Sequence, residues 1–243
     1  MKEMLLGSVI SALSTGVGAI PILFFRYINH HARDTLVALT AGVMMAASVF
    51  SLIPEAISMS NLYVLAFGIL LGTTTLMLIE RYLPHVDLEN PHNKLPIDSQ
   101  ALLIISAITV HNLPEGLSVG VSYTGNNEAL GGLIALAIGV QNAPEGLLVA
   151  LFLVNQNIGR LKAVLIATLT GSVEILSGIL GYMMTGYVKG LVPYGLSFAA
   201  GAMLFIVYKE LIPESHGHGY ERSATYAFII GLISMLFLIQ YFG

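Results

Sequence analysis

Eight apolar runs, each long enough to cross a lipid bilayer as a helix, occupy almost the whole of this 243-residue chain. A spanning helix needs about 20 consecutive apolar residues. The chain is 56% hydrophobic and only 10% charged, whereas soluble domains carry about 25% charged residues. These features predict an all-α, polytopic membrane protein with eight transmembrane helices. The runs cover approximately residues 4–25, 35–54, 62–79, 100–123, 129–154, 163–188, 194–214 and 223–243.

The runs follow one another so closely that we expect a single transmembrane transport domain over residues 1–243. Spans 1–3 fill about 4–83, spans 4–5 about 100–155 and spans 6–8 about 163–243, with a hydrophilic inner-side loop at 84–99. The absence of cysteine excludes thiolate zinc sites and iron–sulfur clusters. The ten Lys and Arg residues form no basic cluster, which argues against nucleic-acid binding.

Lysine and arginine are distributed unequally between the two sides of the membrane. Because positively charged loops stay in the cytoplasm, we predict that both termini are periplasmic or extracellular. The compact chain favours a bacterial inner (plasma) membrane. With this orientation only Lys2 and Lys189 lie outside. The inner loops hold Arg26, Arg33, Arg81, Lys94, Arg160, Lys162 and Arg222, and Lys209 lies near the inner end of span 7.

Two segments of span 2 recur in span 7 at one fixed spacing. Ala41–Met44 and Leu52–Glu55 reappear 159 residues later as Ala200–Met203 and Leu211–Glu214. Span 2 runs outward and span 7 runs inward, so spans 1–3 and spans 6–8 are predicted to form inverted repeats. Such repeats are a common transporter construction, with the binding site near the membrane midplane.

A shorter match relates span 1 to span 6. Gly7–Val9 and Gly171–Val173 share the sequence Gly-Ser-Val, which makes Ile10 the equivalent of Glu174 in the repeat. The repeat predicts an apolar residue at that point. We therefore interpret Glu174 as an asymmetric addition that serves function.

The most specific pattern is a motif that occurs twice, once in span 4 and once in span 5. His111–Gly116 reads HNLPEG and Gln141–Gly146 reads QNAPEG. The two spans are antiparallel, and both motifs lie about fifteen residues, or about 22 Å of helix, from the turn that joins them. They are therefore predicted to face each other at one depth inside the membrane, somewhat past its middle.

Three glutamates, Glu115, Glu145 and Glu174, lie in these spans with no Lys or Arg within a helical turn. A carboxylate at the bilayer centre costs about 2.5–3.5 kcal/mol on insertion scales. A bound cation is the natural countercharge, and a protonated, hydrogen-bonded carboxyl group is the alternative. His111 and Glu115 are four residues apart and Asn112 and Glu115 three apart, so one carboxylate can serve two neighbouring ligand sets.

Two facing motifs of this kind could bridge two divalent cations. Gln141, Asn142 and Glu145 repeat the same spacing on span 5. Oxygen donors dominate and one imidazole joins them, which suits zinc, iron(II), manganese or cadmium. We expect such an ion as a transported substrate, and we expect no catalytic cofactor.

Weaker candidates lie outside the paired motifs. Met44 or Met45 offers a thioether to a soft metal, although methionine in an apolar helix usually serves packing. Ser48 and Ser51 share a face with Met44 and could line a path. Glu210 is predicted to be an exit-side ligand or a salt-bridge partner.

Six of the seven histidines fall in loops on the predicted inner side. Histidines in solvated loops are common, but their concentration on one side indicates weak, transient metal capture near the cytosolic mouth. These residues are His30, His31, His85, His92, His216 and His218.

The paired motifs, the glutamate in span 6, the eight spans and the histidine-bearing loop after span 3 resemble the ZIP (Zrt-/Irt-like protein) family of divalent-metal transporters. The Ala-Gly-x-Met and Leu-Ile-Pro-Glu segments are similar to its bacterial GufA-like branch. The resemblance implies a 3+2+3 arrangement with spans 4 and 5 between the inverted halves, movement of metal toward the cytosol, and a homodimer. It implies a binuclear site formed by His111, Asn112, Glu115, Gln141, Asn142, Glu145 and Glu174.

The second motif departs from the family pattern. Gln141 stands where many members have His, and Asn142 stands where some have Asp. Both differences remove nitrogen or charge from the site, which favours broad ion specificity.

An intramembrane metalloenzyme is the alternative function. That chemistry needs an open metal position and a general base. The chain lacks the H-E-x-x-H motif and has a single histidine inside a span, His111, so transport is the preferred interpretation. A carrier and a channel are both compatible with the sequence, as is exchange of metal for protons on the buried glutamates.

Overall fold

The protein is helical throughout the part of the chain that the structure describes, and its helices form eight antiparallel spans. The computed structural model describes residues 1–25, 28–82, 97–127 and 129–242. Seven spans are long and apolar enough to cross a membrane, and span 4 is a helix of 26 residues. The predicted all-α architecture is confirmed. In chain order the spans are Lys2–Leu23, His30–Ser58, Leu62–Tyr82, Ile97–Ser122, Leu130–Asn155, Arg160–Tyr187, Lys189–Glu214 and Glu221–Phe242.

Most of the predicted inner-side loop falls on residues that are not described. Arg26, His85, His92 and Lys94 also lie outside the described residues. Because the number of spans is even, both ends of the chain lie at one end of the bundle, here called the terminal face. The opposite end, where span 2 begins and span 7 ends, is called the loop face.

The internal repeat is visible in the backbone. Span 2 contains a π-helical turn at Ser48–Leu52, and span 7 contains one at Val207–Leu211, 159 residues later. Pro54 and Pro213 follow these turns at equivalent positions. A proline ring clashes with the carbonyl four residues earlier in an α-helix, and the wider π turn relieves that clash.

The packing of the helices follows the same repeat. The most extensive pairings join span 1 with span 5, span 4 with span 6, span 2 with span 8, and span 3 with span 7. Exchanging spans 1, 2, 3 and 4 for spans 6, 7, 8 and 5 maps these pairs onto one another. Spans 4 and 5 exchange with each other under this mapping, while spans 1–3 exchange with spans 6–8, which agrees with the 3+2+3 arrangement that the family resemblance implies.

Glycines bring the helices of two pairs into backbone contact. Gly42 in span 2 packs on the carbonyl of Phe228, and Gly201, 159 residues later, packs on the carbonyl of Ile69. Ile69 and Phe228 are themselves 159 residues apart. A second equivalent set joins Gly72 to Phe198 and Gly231 to Leu39. The repeat thus extends to individual packing contacts.

The same contacts correct the predicted register between spans 1 and 6. Gly146 packs on the carbonyl of Thr15, and Gly116 packs on the carbonyl of Glu174. Because these glycines end the two copies of the motif, Thr15 and Glu174 are equivalent, again 159 residues apart. The prediction that Ile10 is the equivalent of Glu174 was wrong, because a three-residue match is too short to fix the register of the repeat.

The eight spans divide into two groups. Spans 1, 4, 5 and 6 pack mainly on one another and are called the central group; spans 2, 3, 7 and 8 form the outer group. The main contacts between the groups join span 2 to span 5 and span 4 to span 7. These two contacts are also related by the inverted repeat.

The prediction that Arg33 lies in a loop was wrong. The residue lies in the first turn of span 2 and is only 7% exposed. Its guanidinium forms an ion pair with Glu214 of span 7 and lies over the Phe152 ring of span 5. The buried charge therefore connects the two groups at the loop face.

We expect Gly42→Ala to lower the unfolding midpoint of the protein in detergent, because its Cβ would overlap the Phe228 carbonyl. Overpacking of this kind costs about 1–3 kcal/mol. Gly132→Ala is the matched control, since its Cβ would meet nothing within 4 Å. Equal midpoints for the two variants in thermal unfolding would contradict the close helix contact.

Candidate metal site

The two sequence motifs meet in the middle of the central group. Gln141 Nε2 donates a hydrogen bond of 2.6 Å to Oε1 of Glu115, so spans 4 and 5 face each other as predicted. The Glu115 carboxylate is fully buried and lies within electrostatic range of Glu145 and Glu174. Glu145 is partly buried. Three carboxylates therefore lie near enough to one another for their charges to interact, and two of them are fully buried.

Span 1 contributes a residue that the sequence analysis missed. The hydroxyl of Ser11 donates a hydrogen bond of 2.5 Å to Oε2 of Glu174. Asn142 Nδ2 lies 2.7 Å from Oε1 of Glu174, 3.1 Å from the Ser11 carbonyl and 3.3 Å from the Ser11 hydroxyl. The signal was a buried polar stripe, because Ser8, Ser11 and Thr15 recur on one face of an otherwise apolar helix.

Several oxygen atoms of the site have no hydrogen-bond donor among the described residues. They are Oε2 of Glu115, Oε1 of Gln141 and Oδ1 of Asn142. A buried acceptor without a partner costs about 1–3 kcal/mol. The two amide oxygens can only accept, and Oε2 of Glu115 does so when its carboxyl group is ionised. Bound divalent cations would supply the missing partners. The residues present therefore fit a metal ion as the bound substrate.

The inverted repeat explains two further orphaned atoms. Asn112 Nδ2 and Thr15 Oγ1 also lack a partner within the described ranges. In the inverted repeat Asn112 is the equivalent of Asn142, and Thr15 is the equivalent of Glu174. A threonine is too short to accept the amide that a glutamate accepts, so this half of the site lacks its third carboxylate.

His111 connects the site to the outer group. Its Nε2 lies 2.8 Å from Oε2 of Glu210 in span 7. Glu145 interacts electrostatically with both residues. Glu210 therefore has a polar partner, His111, that is itself a candidate ligand. Its role as an exit-side ligand stays a prediction.

The methionines and serines of span 2 are weaker ligand candidates than the residues of the paired motifs. Met44 belongs to the main hydrophobic core and Met45 packs against it, and a metal contact by Met45 stays a prediction. The hydroxyl of Ser48 donates to the Met44 carbonyl at 2.9 Å. Ser51 Oγ is buried, and no partner for it is found among the described residues.

Four of the predicted loop histidines gather at the loop face, although His30 and His31 lie in the first turn of span 2 and not in a loop. His218 Nδ1 lies 2.8 Å from Oδ1 of the buried Asp34. The rings of His30 and His218 are 3.9 Å apart, and His31 meets Tyr220 edge to face. The fourth, His216, contacts the carbonyl of Ile212 at the end of span 7.

No three histidine or acidic side chains converge closely enough to hold a metal ion in the described ranges of the chain. Both oxygens of Glu174 are engaged by Ser11 and Asn142. Ligation of one ion by three such side chains would therefore require these residues to move closer together.

Sequence comparisons agree with this architecture. The ZIP zinc transporter family model matches residues 85–239. The chain is 36% identical to the zinc transporter GufA of Myxococcus xanthus, over 96% of both chains. It is 34% identical to the zinc transporter ZIPB of Bordetella bronchiseptica, over 96% of this chain and 79% of the relative. It is 31% identical to the zinc transporter ZupT of Streptococcus mutans, over 94% and 93% of the two chains.

We expect Glu174→Gln to unfold close to the wild type and Glu174→Leu to unfold earlier. A glutamine can accept from Asn142 and donate to Ser11, whereas leucine leaves their hydrogen-bonding groups without this acceptor, at about 1–3 kcal/mol. Both variants are uncharged, so the difference in thermal midpoint does not arise from the charge of Glu174. Identical midpoints would argue against the Ser11–Glu174–Asn142 contacts.

Proposed function

Because the chain belongs to the ZIP family of zinc transporters, we propose that it carries zinc and related divalent ions through the membrane toward the cytoplasm. It is a divalent-metal transporter and not an enzyme, as the family match and the relatives indicate. The proposal for this site rests on one observation above all. The paired motifs enclose buried acceptor oxygens that have no donor among the described residues.

The proposed site holds two ions, bridged by the carboxylates of Glu115 and Glu145. Asn112, Asn142 and Glu174 would hold one ion on the side of the Ser11 contacts. His111 and Gln141 would hold the other on the side toward Glu210. The contacts of Gln141 with Glu115 and of Asn142 with Glu174 support this division, since each carboxamide already lies beside a carboxylate of its own set.

The donor set favours moderate affinity over a tight structural site. Structural zinc sites use four closed nitrogen or sulfur ligands, whereas this site has one imidazole and several carboxamide and carboxylate oxygens. Gln141 and Asn142 add no charge. We therefore propose zinc as the main substrate, with cadmium, iron(II) and manganese accepted as well.

Movement of the two helix groups against each other would give the ions access to alternate sides. All seven proposed ligands belong to the central group, and the His111–Glu210 contact crosses to the outer group. On this proposal metal arrives from the terminal face, loses its water at Glu115 and Glu145, and leaves past Glu210. The histidines at the loop face would then receive it transiently.

The proposed setting is the bacterial inner membrane, with both termini outside and with a homodimer as the assembly. The seven apolar spans and the bacterial relatives support a bacterial membrane location. The excess of Lys and Arg near the loop face supports the orientation. The dimer rests on the family resemblance.

Uptake into proteoliposomes tests the function directly. Saturable zinc uptake is expected in the wild type and is expected to fall more than about 100-fold in Glu115→Ala and in Glu145→Ala, beyond the 10- to 100-fold cost of losing an outer partner. Cadmium, iron(II) and manganese are measured in parallel to rank the ions. Glu221→Ala is the matched control, because Glu221 is exposed at the start of span 8.

Equal uptake in the wild type and both site variants would mean that the paired glutamates serve structure, and the proposal would fail. Stoichiometric binding without flux would also count against transport. Uptake that is lost in the Glu221→Ala control as well would point to a general defect in folding or reconstitution, which the thermal midpoint of each variant detects.

The orientation is tested with single cysteines, since the natural chain contains none. Asn126→Cys lies at the terminal face and Asn155→Cys at the loop face, and both positions are exposed. A membrane-impermeant maleimide is expected to label only Asn126→Cys in intact spheroplasts, and both variants after lysis. Labelling of Asn155→Cys before lysis would reverse the orientation.

A further inference from the structure

We propose that Ser11 is a positioning residue of the metal site, which sets the orientation of both Glu174 and Asn142. This inference rests on the proposed function and adds a residue outside the paired motifs. Ser11 lies in span 1 and is fully buried. It contacts two proposed ligands that come from two other spans.

The first contact fixes the carboxylate of Glu174. The Ser11 hydroxyl has one proton, and it donates this proton to Oε2 at 2.5 Å. When Glu174 is ionised, this hydrogen bond is charge-assisted and about twice as strong as one between neutral groups. Both partners are fully buried, so bulk water does not compete for this hydrogen bond. The carboxylate is thus held in one rotamer, with its remaining lone pairs available to an ion.

The second contact decides which end of the Asn142 amide enters the site. The nitrogen end lies 3.1 Å from the Ser11 carbonyl and 2.7 Å from Oε1 of Glu174. An amide has two donors on nitrogen and an acceptor on oxygen, so these acceptors select the nitrogen end. Oδ1 must then point the other way, and it has no donor among the described residues. Only this oxygen end can ligate a cation.

Ser8 shows that the arrangement is particular to Ser11. It lies one turn earlier on the same helix and is equally buried. Its hydroxyl lies 3.6 Å from Sδ of Met4, within its own helix. A serine in span 1 is therefore not by itself a partner of the site, and Ser8 provides a matched control for the loss of a buried hydroxyl.

The test measures zinc uptake in proteoliposomes over a range of concentrations. Ser11→Ala is expected to raise the KM for zinc about 10- to 100-fold, the usual cost of losing an outer partner of a metal ligand, with a smaller effect on the maximal rate. Ser8→Ala is expected to keep the wild-type KM. Ser11→Thr keeps a hydroxyl at this position and is expected to retain most of the affinity.

A double-mutant cycle separates positioning from packing. If Ser11 acts through Glu174, Ser11→Ala adds little further loss in a Glu174→Gln background, because interacting residues are not additive. Equal losses in both backgrounds would indicate an independent packing effect and would overturn the inference. A wild-type KM in Ser11→Ala would overturn it too.

Failure of the inference and failure of the function give different results. If the wild type shows no saturable zinc uptake, the proposed function fails. If the wild type transports zinc and Glu115→Ala does not, while Ser11→Ala behaves as Ser8→Ala does, the function stands and the role of Ser11 is rejected. Thermal midpoints of the variants in detergent identify any that fail to fold.

Discussion

The need to neutralise carboxylates inside a hydrocarbon layer governs this structure. Glu115 and Glu174 are fully buried, and Glu115 is close enough to Glu145 and Glu174 for their charges to interact. Hydrogen bonds from Gln141 and Ser11 reach these carboxylates but bring no positive charge. The orphaned oxygen atoms beside them support the proposal that a cargo ion completes the site. A site completed in this way would be suited to accept and release that ion.

The inverted repeat supplies the framework, and its exceptions supply the chemistry. Helix pairs, π turns and glycine contacts all recur at one spacing. A symmetric framework would offer the same ligands from both sides. At three pairs of equivalent positions, one half has a histidine or glutamate and the other has an uncharged amide or hydroxyl side chain. These pairs are His111 and Gln141, Glu174 and Thr15, and Glu210 and Ser51.

The sequence was sufficient to predict the eight spans, the inverted repeat and the meeting of the two motifs, because hydropathy and long matches report on whole helices. It did not identify Ser11, since a serine in an apolar helix also bonds to its own backbone, as Ser48 does. It predicted Arg33 to lie in a loop, because the sequence does not distinguish a charged residue in a solvated loop from one in a buried ion pair at a helix end. The register of Glu174 needed a contact between backbones, which a three-residue match cannot supply.

The outer group is held together where backbone meets backbone. Gly42 and Gly201 bring their helices against carbonyl groups of the partner spans, so these pairings do not depend on the shapes of the large side chains that face outward. Leu70 and Phe237, on spans 3 and 8, are among those exposed apolar residues. The lipid-facing surface can therefore change in composition, as adaptation to a thicker or thinner bilayer requires, while the spacing of the helices that frame the metal path stays the same.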